Sequence, residues 1–541
     1  VAALYPTFWH HVAALPPILG VALAFTLLLL SLAVKDRRVW EAYAVASTLL
    51  ILALCSITFY SQYFALKEPI VYAFGGWPPP VGIVYEVDRL NAMLSLLVSG
   101  VVFLATVYSV RYMERDDGVE LYYTLLLAFE AGMLGCLLTG DFFNLFVMLE
   151  VMSVSAYGLV AFRRDSHEAV EAAIKYAIVG SVATTIYFTG VAFAYGSLGT
   201  LNMANMASMV RMGPAFPVVG GRPVSGSWPL GVSAFIALMF WAFAMKAAIA
   251  PNHFWLPDAH PAAPSPISAL LSGLMVKVAL YVLIRFFYTV FRGAEALTLI
   301  ALPLNVIIVA MGAASALIGA FMMLVQADIK RLIAYGTILN VGYIAMGLGL
   351  SMPSNAPPTG LTAALLHVIN HAVAKALLFL CAGSFIHAAA ARSLDALAGV
   401  GRRMPWTSAS FLIGALTLSG VPPLSCFMSK ILLLQAFLEV GWLAPAIVIV
   451  VLTSALSLLG YLKVFYNVYL RAPSGELSVE EAPASMLAPM LILAALCVVL
   501  GVAAPWLIGL VVEPAVASAV DVGGYVEAAL KLAGLLKGGG A

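Results

Sequence analysis

Apolar runs long enough to cross a bilayer recur from one end of this sequence to the other, and no soluble fold tolerates that pattern. A membrane-crossing helix needs roughly 20 apolar residues. Runs of that kind fall at about 15–34, 40–60, 88–111, 121–139, 142–162, 168–195, 229–250, 265–290, 297–323, 328–350, 360–390, 408–439, 443–470 and 486–512. In lipid the backbone must satisfy its own hydrogen bonds, so runs of this length become helices. The expectation is an all-α, polytopic membrane protein with about 14 transmembrane helices, and residues 1–541 form a single integral membrane domain. Composition agrees, since only 10% of the 541 residues are charged, against roughly a quarter in a soluble chain.

Loop charges set the orientation, because basic residues stay on the cytoplasmic side. With the N-terminus outside, the inner loops carry Lys35, Arg37, Arg38, Arg115, Arg163, Arg164, Lys330, Arg331, Arg392, Arg402, Arg403 and Arg471, and the outer loops only Lys67, Arg211, Arg222 and Arg292. Both termini are therefore expected outside. Ile18 to Val34 is followed by Lys35-Asp36-Arg37-Arg38, a flank that suits a retained first span rather than a cleaved leader. The stretches 61–87 and 196–227, rich in Gly, Pro and aromatics, read as packed outer loops. With 27 basic against 26 acidic residues, nothing points to nucleic acid. Cys55, Cys136, Cys381, Cys426 and Cys497 stand singly in apolar runs and lack metal-ligand or redox spacing.

Two spans are interrupted. One runs from Lys246 through Pro251, Pro257, Pro261, Pro264 and Pro266, and the other breaks at Gly420-Val421-Pro422-Pro423-Leu424. Proline frees carbonyls that must find partners in protein or water, so such breaks line cavities. One break in each half of the chain suggests a transporter built from inverted repeats.

Ionisable side chains inside the spans carry the functional argument, since each costs on the order of 3 kcal/mol at mid-membrane unless paired or hydrated. Glu150 lies mid-span, Lys246 precedes the first break, Lys277 is central in its span, and Lys430 follows the second break. His367, His371 and Lys375 recur at i, i+4 and i+8, on one helical face. Burial disfavours a charged lysine and a nearby carboxylate restores it, while histidine titrates near neutrality. Such a row suits the passing of protons and is poorly suited to holding a neutral solute. The bland alternatives are a structural Glu150–Lys246 ion pair, satisfied core histidines, and a snorkelling Lys375. Glu130, in the fourth span, is a further ionisable group at depth, for which a functional role and a structural or local-pairing role are equally open. The loop charges Arg163, Arg164, Lys330, Arg331, Arg402 and Arg403 read as topology-setting, and Asp141 and Asp328 as helix caps.

Five segments in order resemble the antiporter-like subunits shared by respiratory complex I, membrane-bound hydrogenases and Mrp-type cation/proton antiporters. Gly140-Asp141-Phe142-Phe143-Asn144 through Glu150-Val151-Met152 resembles their fifth helix, and Lys246 to His260, with Phe254-Trp255-Leu256-Pro257-Asp258-Ala259-His260, their broken seventh. Gln326-Ala327-Asp328-Ile329-Lys330-Arg331 is similar to the start of the tenth, His367 to His371 with Lys375-Ala376-Leu377 to the eleventh, and Gly420-Val421-Pro422-Pro423-Leu424-Ser425 with Lys430 to the twelfth. The resemblance spans about residues 80–470.

That resemblance implies two inverted five-helix repeats, at about 121–290 and 297–470, flanked by helices within 15–111 and at 486–512. It implies a proton path in which Glu150 pairs with Lys246 and tunes its proton affinity, Lys277 is the central carrier, His367, His371 and Lys375 extend the hydrated axis, and Lys430 exchanges with the outside. It further implies a prokaryotic-type cell membrane, other membrane subunits as partners, and H⁺, with or without Na⁺, as cargo. No cofactor is expected in this chain. Iron–sulfur clusters, with or without nickel or flavin, would belong to peripheral redox subunits. Three readings follow: a proton-translocating subunit of a redox-driven complex, the D subunit of an Mrp-type Na⁺/H⁺ antiporter, and a stand-alone solute carrier. Leu339-Asn340 stands where the family usually has Ser-Gln, and Cys426 where Gly is common, which puts the water path near Asn340 in question.

Overall fold

The computed structural model describes residues 8–66, 68–212, 228–293, 295–473 and 479–532. Lys67, Arg222, Gly220-Gly221 and the Gly538 to Gly540 tail lie outside them. Among the described residues twelve helices are long and apolar enough to cross a membrane. The other two expected spans are the shorter helix Trp228–Lys246 and the interrupted pair Pro405–Ser419 and Ser425–Val440. The chain is a polytopic all-α membrane protein.

Helices α1 (Phe8–Ala33), α2 (Arg37–Tyr60) and α3 (Arg89–Tyr112) precede α4 (Val119–Leu138), α5 (Phe142–Val160), α6 (His167–Leu198), the short α7 (Met203–Met212) and α8 (Trp228–Lys246). The first break falls between α8 and α9 (Leu256–Ala262). After it, α10 (Ser265–Leu270) and α11 (Val276–Ile284) form one span whose wide turns lie at Leu271–Met275 and Arg285–Val290. Then follow α12 (Glu295–Val325), α13 (Ile329–Ser351), α14 (Thr359–Ala389), α15 (Pro405–Ser419), α16 (Ser425–Val440), α17 (Ile447–Phe465) and α18 (Ala484–Val502).

Aspartates start several spans, as their positions suggested: Asp141 accepts from the Phe143 and Asn144 amides, and Asp328 from those of Lys330 and Arg331. Each satisfies orphan donors at a positive helix end. The span α10–α11 and, beyond Arg331, α13 are buried throughout, while α1 and α17 present exposed apolar side chains such as Phe25, Leu29, Val448 and Val451, the surface a bilayer requires.

Three features depart from the expectations. The stretch 61–87 contains a small antiparallel hairpin, β1 (Ile70–Ala73) with β2 (Val84–Val87), in register Ile70↔Val87 and Val71↔Glu86. The apolar run 486–512 is not one span: α18 stops at Val502, and the chain continues as α19 (Ala504–Leu507), α20 (Glu513–Val520) and α21 (Val522–Leu532). The segments Ala504–Val520 and Val522–Leu532 meet at 67°. Pro505 removes the amide that would have continued α18. Lys330 is not a loop charge. It is 2% exposed, and its ammonium donates to the carbonyls of Ala263 and Pro261 at the C-terminal end of α9, where a cation complements the helix dipole.

Candidate proton-transfer path

The broken helices create the site. In the first break the chain turns at Ala248, whose φ is 55°, leaving Lys246 at the end of α8 and 4% exposed. Its Nζ donates to Ser153 Oγ at 2.7 Å and lies 5.9 Å from the centre of the Tyr157 ring. Ser153 and Tyr157 are on α5, one and two turns beyond Glu150. The expected Glu150–Lys246 pair is therefore open: the two side chains are electrostatic neighbours, but the ammonium is committed to the serine.

Lys277 sits on α11 and donates to the Ser272 carbonyl. That carbonyl belongs to the wide turn Leu271–Met275, whose altered bonding lets a carbonyl accept from a side chain. The same turn packs against α14 between His371 and Lys375, where a Cβ on Gly273 would lie 3.2 Å from the Ala372 carbonyl. Lys277 is thus an electrostatic neighbour of His371, Lys375 and His367.

On α14, His371 and His367 stack with ring centres 5.9 Å apart. His367 is held at both nitrogens, Nδ1 to Ser429 Oγ at 2.8 Å and Nε2 to Asn340 Oδ1 at 3.0 Å. Both nitrogens of His371 are buried without a protein partner, as are Asn370 Oδ1 and Ser425 Oγ beside it. Buried polar atoms are rarely left unbonded, so this cluster calls for water. Lys375 donates to the Ile333 carbonyl at 2.6 Å and to Tyr461 Oη at 2.9 Å.

The second break places Lys430. Gly420 turns the chain with φ +82°, and a Cβ there would lie 2.8 Å from Lys430 Cδ, so glycine is required on both counts. The interruption leaves the Leu418 carbonyl open, and Lys430 Nζ donates to it at 2.9 Å and to Ser454 Oγ at 3.0 Å. Ser454 also meets Tyr343 Oη at 3.1 Å.

Among the described residues none of these four lysines has a carboxylate partner; their contacts are hydroxyls and carbonyls. Hydroxyls and carbonyls accept from an ammonium yet do not fix its charge, which leaves each lysine free to gain or lose a proton.

Sequence reasoning missed three residues that the structure packs against these side chains. Asn340, where a departure from the family put the water path in question, is a hydrogen-bond partner of His367 and is itself anchored to the Gly336 carbonyl at 2.7 Å. Tyr461 carries no charge and gave no signal in an apolar span. His260 was legible as a histidine within the broken segment: it is fully buried, both ring nitrogens lack a protein partner, and its ring lies 4.8 Å from that of Phe379. Its neighbours Pro261 and Ala262 line an open basin of about 420 Å³ on the basic face, together with Arg115, Arg163, His387 and Arg392.

Residues 139–457 match the family described as NADH:quinone oxidoreductase/Mrp antiporter, transmembrane, and residues 80–123 match the complex I chain 5 N-terminal family. This chain belongs to the proton-antiporter membrane-subunit family. It is 34% identical to NADH-quinone oxidoreductase subunit N of Desulforudis audaxviator, over 88% of this chain and 92% of that one. It is 31% identical to the D subunit of the Na⁺/H⁺ antiporter of Alkalihalophilus pseudofirmus, over 86% and 89%. Its structure matches a chain of the membrane-bound sulfane sulfur reductase, an archaeal respiratory membrane complex, with TM-score 0.84 and 30% identity over 96% of this chain and 99% of that one. All seven residues singled out from the sequence fall inside the larger family match.

Proposed function

We propose that this chain is the proton-translocating membrane subunit of a redox-driven respiratory complex. The observation that carries the proposal is the buried row Lys246, Lys277, Lys375, His371, His367 and Lys430, whose lysines are hydrogen-bonded to neutral groups and whose histidines adjoin unpartnered polar atoms. Two inverted repeats, at about 121–290 and 297–470, each supply one broken helix to the row.

Protons enter from the basin on the basic, cytoplasmic face, pass His260, and reach Lys277 and Lys375. His371 and His367 carry them to Lys430, which exchanges with the outside. The Glu150–Lys246 couple is the switch. At a contact of about 4 Å and an effective dielectric near 20, a carboxylate stabilises an ammonium by about 4 kcal/mol. Closing the pair therefore holds a proton on Lys246, and opening it towards Ser153 releases that proton to the row. A partner subunit that moves Glu150 couples its own chemistry to transfer. Respiratory relatives support a redox partner, with iron–sulfur clusters, with or without nickel or flavin, in peripheral subunits. Both termini would face outward from a prokaryotic cell membrane.

The likeness to the D subunit of an Na⁺/H⁺ antiporter favours a second reading, an Mrp-type antiporter without redox chemistry. Purification from native membrane in mild detergent, with assays for iron, nickel and flavin, separates the two. Stoichiometric iron is expected, and its absence alongside small membrane partners would leave the antiporter reading. In vesicles carrying the purified complex, Lys277→Ala is expected to abolish coupled proton movement without loss of assembly. Full pumping by that variant would refute the relay.

A further inference from the structure

At the outer end of the Lys277 helix lies a second set of buried charges that the path above does not use. Arg285, 3% exposed, forms a two-pronged bond to Asp88, Nη1 to Oδ2 at 2.7 Å and Nη2 to Oδ1 at 2.9 Å. Asp88 caps α3 directly after β2, and the carboxyl of Glu86, in that strand, is 1% exposed, makes no close hydrogen bond, and faces the Tyr525 hydroxyl and the Arg285 charge without a counter-ion of its own. Lys277, Tyr281 and Arg285 stand at i, i+4 and i+8, so they share one face of the helix. Tyr281 Oη donates to the Leu137 carbonyl at 2.6 Å and lies 3.3 Å from Arg285 Nε. Over the guanidinium lies the ring of Tyr525 on α21, at 4.9 Å. Tyr525 also lines a mouth of about 200 Å³ with Asp88, Arg89, Ser518 and Asp521, and Asp521 is exposed. The cluster opens on the face opposite the basic loops.

From this we infer that Glu86 is a second outward proton-release site, fed by Lys277 in parallel with the Lys430 exit, positioned by the Asp88–Arg285 pair and opening to the outside past Tyr525 and Asp521. An ion pair with both members satisfied needs no third carboxyl beside it. A buried carboxyl without a partner is costly unless it is neutral for part of the time, and a group that alternates between neutral and charged is a proton carrier. Burial pushes the Glu86 carboxyl well above the usual range; the Arg285 charge and the Tyr525 hydroxyl oppose that shift, and the Asp88 charge adds to it. In the transfer the Lys277 ammonium loses a proton and becomes the amine, and the Glu86 carboxylate takes that proton through water beside Tyr281 and becomes the acid. Glu86 then gives the proton to water at the mouth and returns to the carboxylate. Asp88 and Arg285 stay ionised throughout and act as positioning residues.

This inference rests on the proposed pumping function, so its test includes a control for that function. In vesicles holding the purified complex, Glu86→Gln is expected to slow release through this exit by about a hundredfold, the contribution of one positioned proton-transfer group, read as fewer protons released on the outer side per electron, with the complex assembled. Glu86→Asp, which keeps a titratable group, is expected to recover most of the rate. Wild-type release by Glu86→Gln, while Lys277→Ala pumps nothing, would overturn the release site and leave the pump intact. Pumping by Lys277→Ala would overturn the pump itself. Should Glu86→Gln fail to assemble, Asp521→Asn at the exposed mouth is the variant to read. A changed dependence of pumping on outer pH is expected, and an unchanged one overturns the inference.

Discussion

Gly336→Ala tests the row without altering any charge. Gly336 lies on α13 against the Lys375–Tyr461 contact, and a Cβ there would stand 2.2 Å from Tyr461 Oη and 2.7 Å from Lys375 Nζ. Ordinary contact begins near 3.5 Å, so the phenol must retreat by about 1 Å. Its 2.9 Å bond from the ammonium does not survive that shift. A hydrogen bond to a charged group is worth about 1.5–3 kcal/mol net. Placed in the barrier for proton passage, that loss corresponds to a rate about ten- to a hundredfold lower. The gain from replacing a helical glycine, about 0.5–1 kcal/mol, offsets part of the overpacking cost of about 1–3 kcal/mol, so the unfolding temperature should fall only modestly while transport falls about tenfold or more. The assay is proton pumping per electron in vesicles holding the purified complex, with electron transfer and assembly measured in parallel. Tyr461→Phe, which removes the same bond without crowding, should show the same loss. Wild-type pumping by both variants would refute the assignment of Lys375 to the path.

Glu150→Gln removes the closed state of the switch, and pumping is expected to fall about tenfold or more while the complex still assembles; coupling equal to wild type in the vesicle assay would exclude a switch at this site. Asn340→Ala leaves a nitrogen of His367 without its 3.0 Å partner and should cost about 1–3 kcal/mol, read as a lower unfolding temperature together with slower pumping. Asp141, buried before α5, has its carboxyl pushed up to about 6 by burial, against the pull of the Asn144 and Phe143 amides. Its folded form therefore binds a proton more tightly than its unfolded form, and the stability this brings is full below the ordinary aspartate range and lost as pH rises through 6. Asp141→Asn, still a competent cap, should stabilise the protein by about 3 kcal/mol at pH 8 and change little near pH 3, below the ordinary aspartate range. Equal melting shifts at both pH values would refute that account.

Much of the fold was legible because lipid permits few solutions. Fourteen apolar runs, two proline breaks and a bias of basic loops follow from local composition; among the described residues twelve of those runs hold a helix long and apolar enough to cross, one is the shorter helix Trp228–Lys246 and one is the interrupted pair Pro405–Ser419 and Ser425–Val440. The last run was misjudged because apolar character continues through Ala503-Ala504-Pro505, where the helix does not. The seven site residues were legible by one signal, an ionisable side chain in an apolar run. Arg285 carries the same signal within 265–290 and belonged beside Lys277. Tyr461 and Ser153 carry none, because a neutral hydroxyl is far cheaper to bury than a charge and does not stand out in an apolar run.

The sequence by itself determined that the chain crosses a membrane many times, that two spans are broken, and that lysines and histidines lie at depth. All three are properties of a single segment against a uniform solvent. Only the tertiary structure decided that Lys246 turns to Ser153 rather than Glu150, that Lys330 is buried against the Ala263 carbonyl, and that Glu86, Asp88 and Arg285 meet although 197 residues separate the last two. Such contacts depend on which helix faces which and on carbonyls opened by wide turns and breaks. Those are relations between distant segments, and no local pattern encodes them.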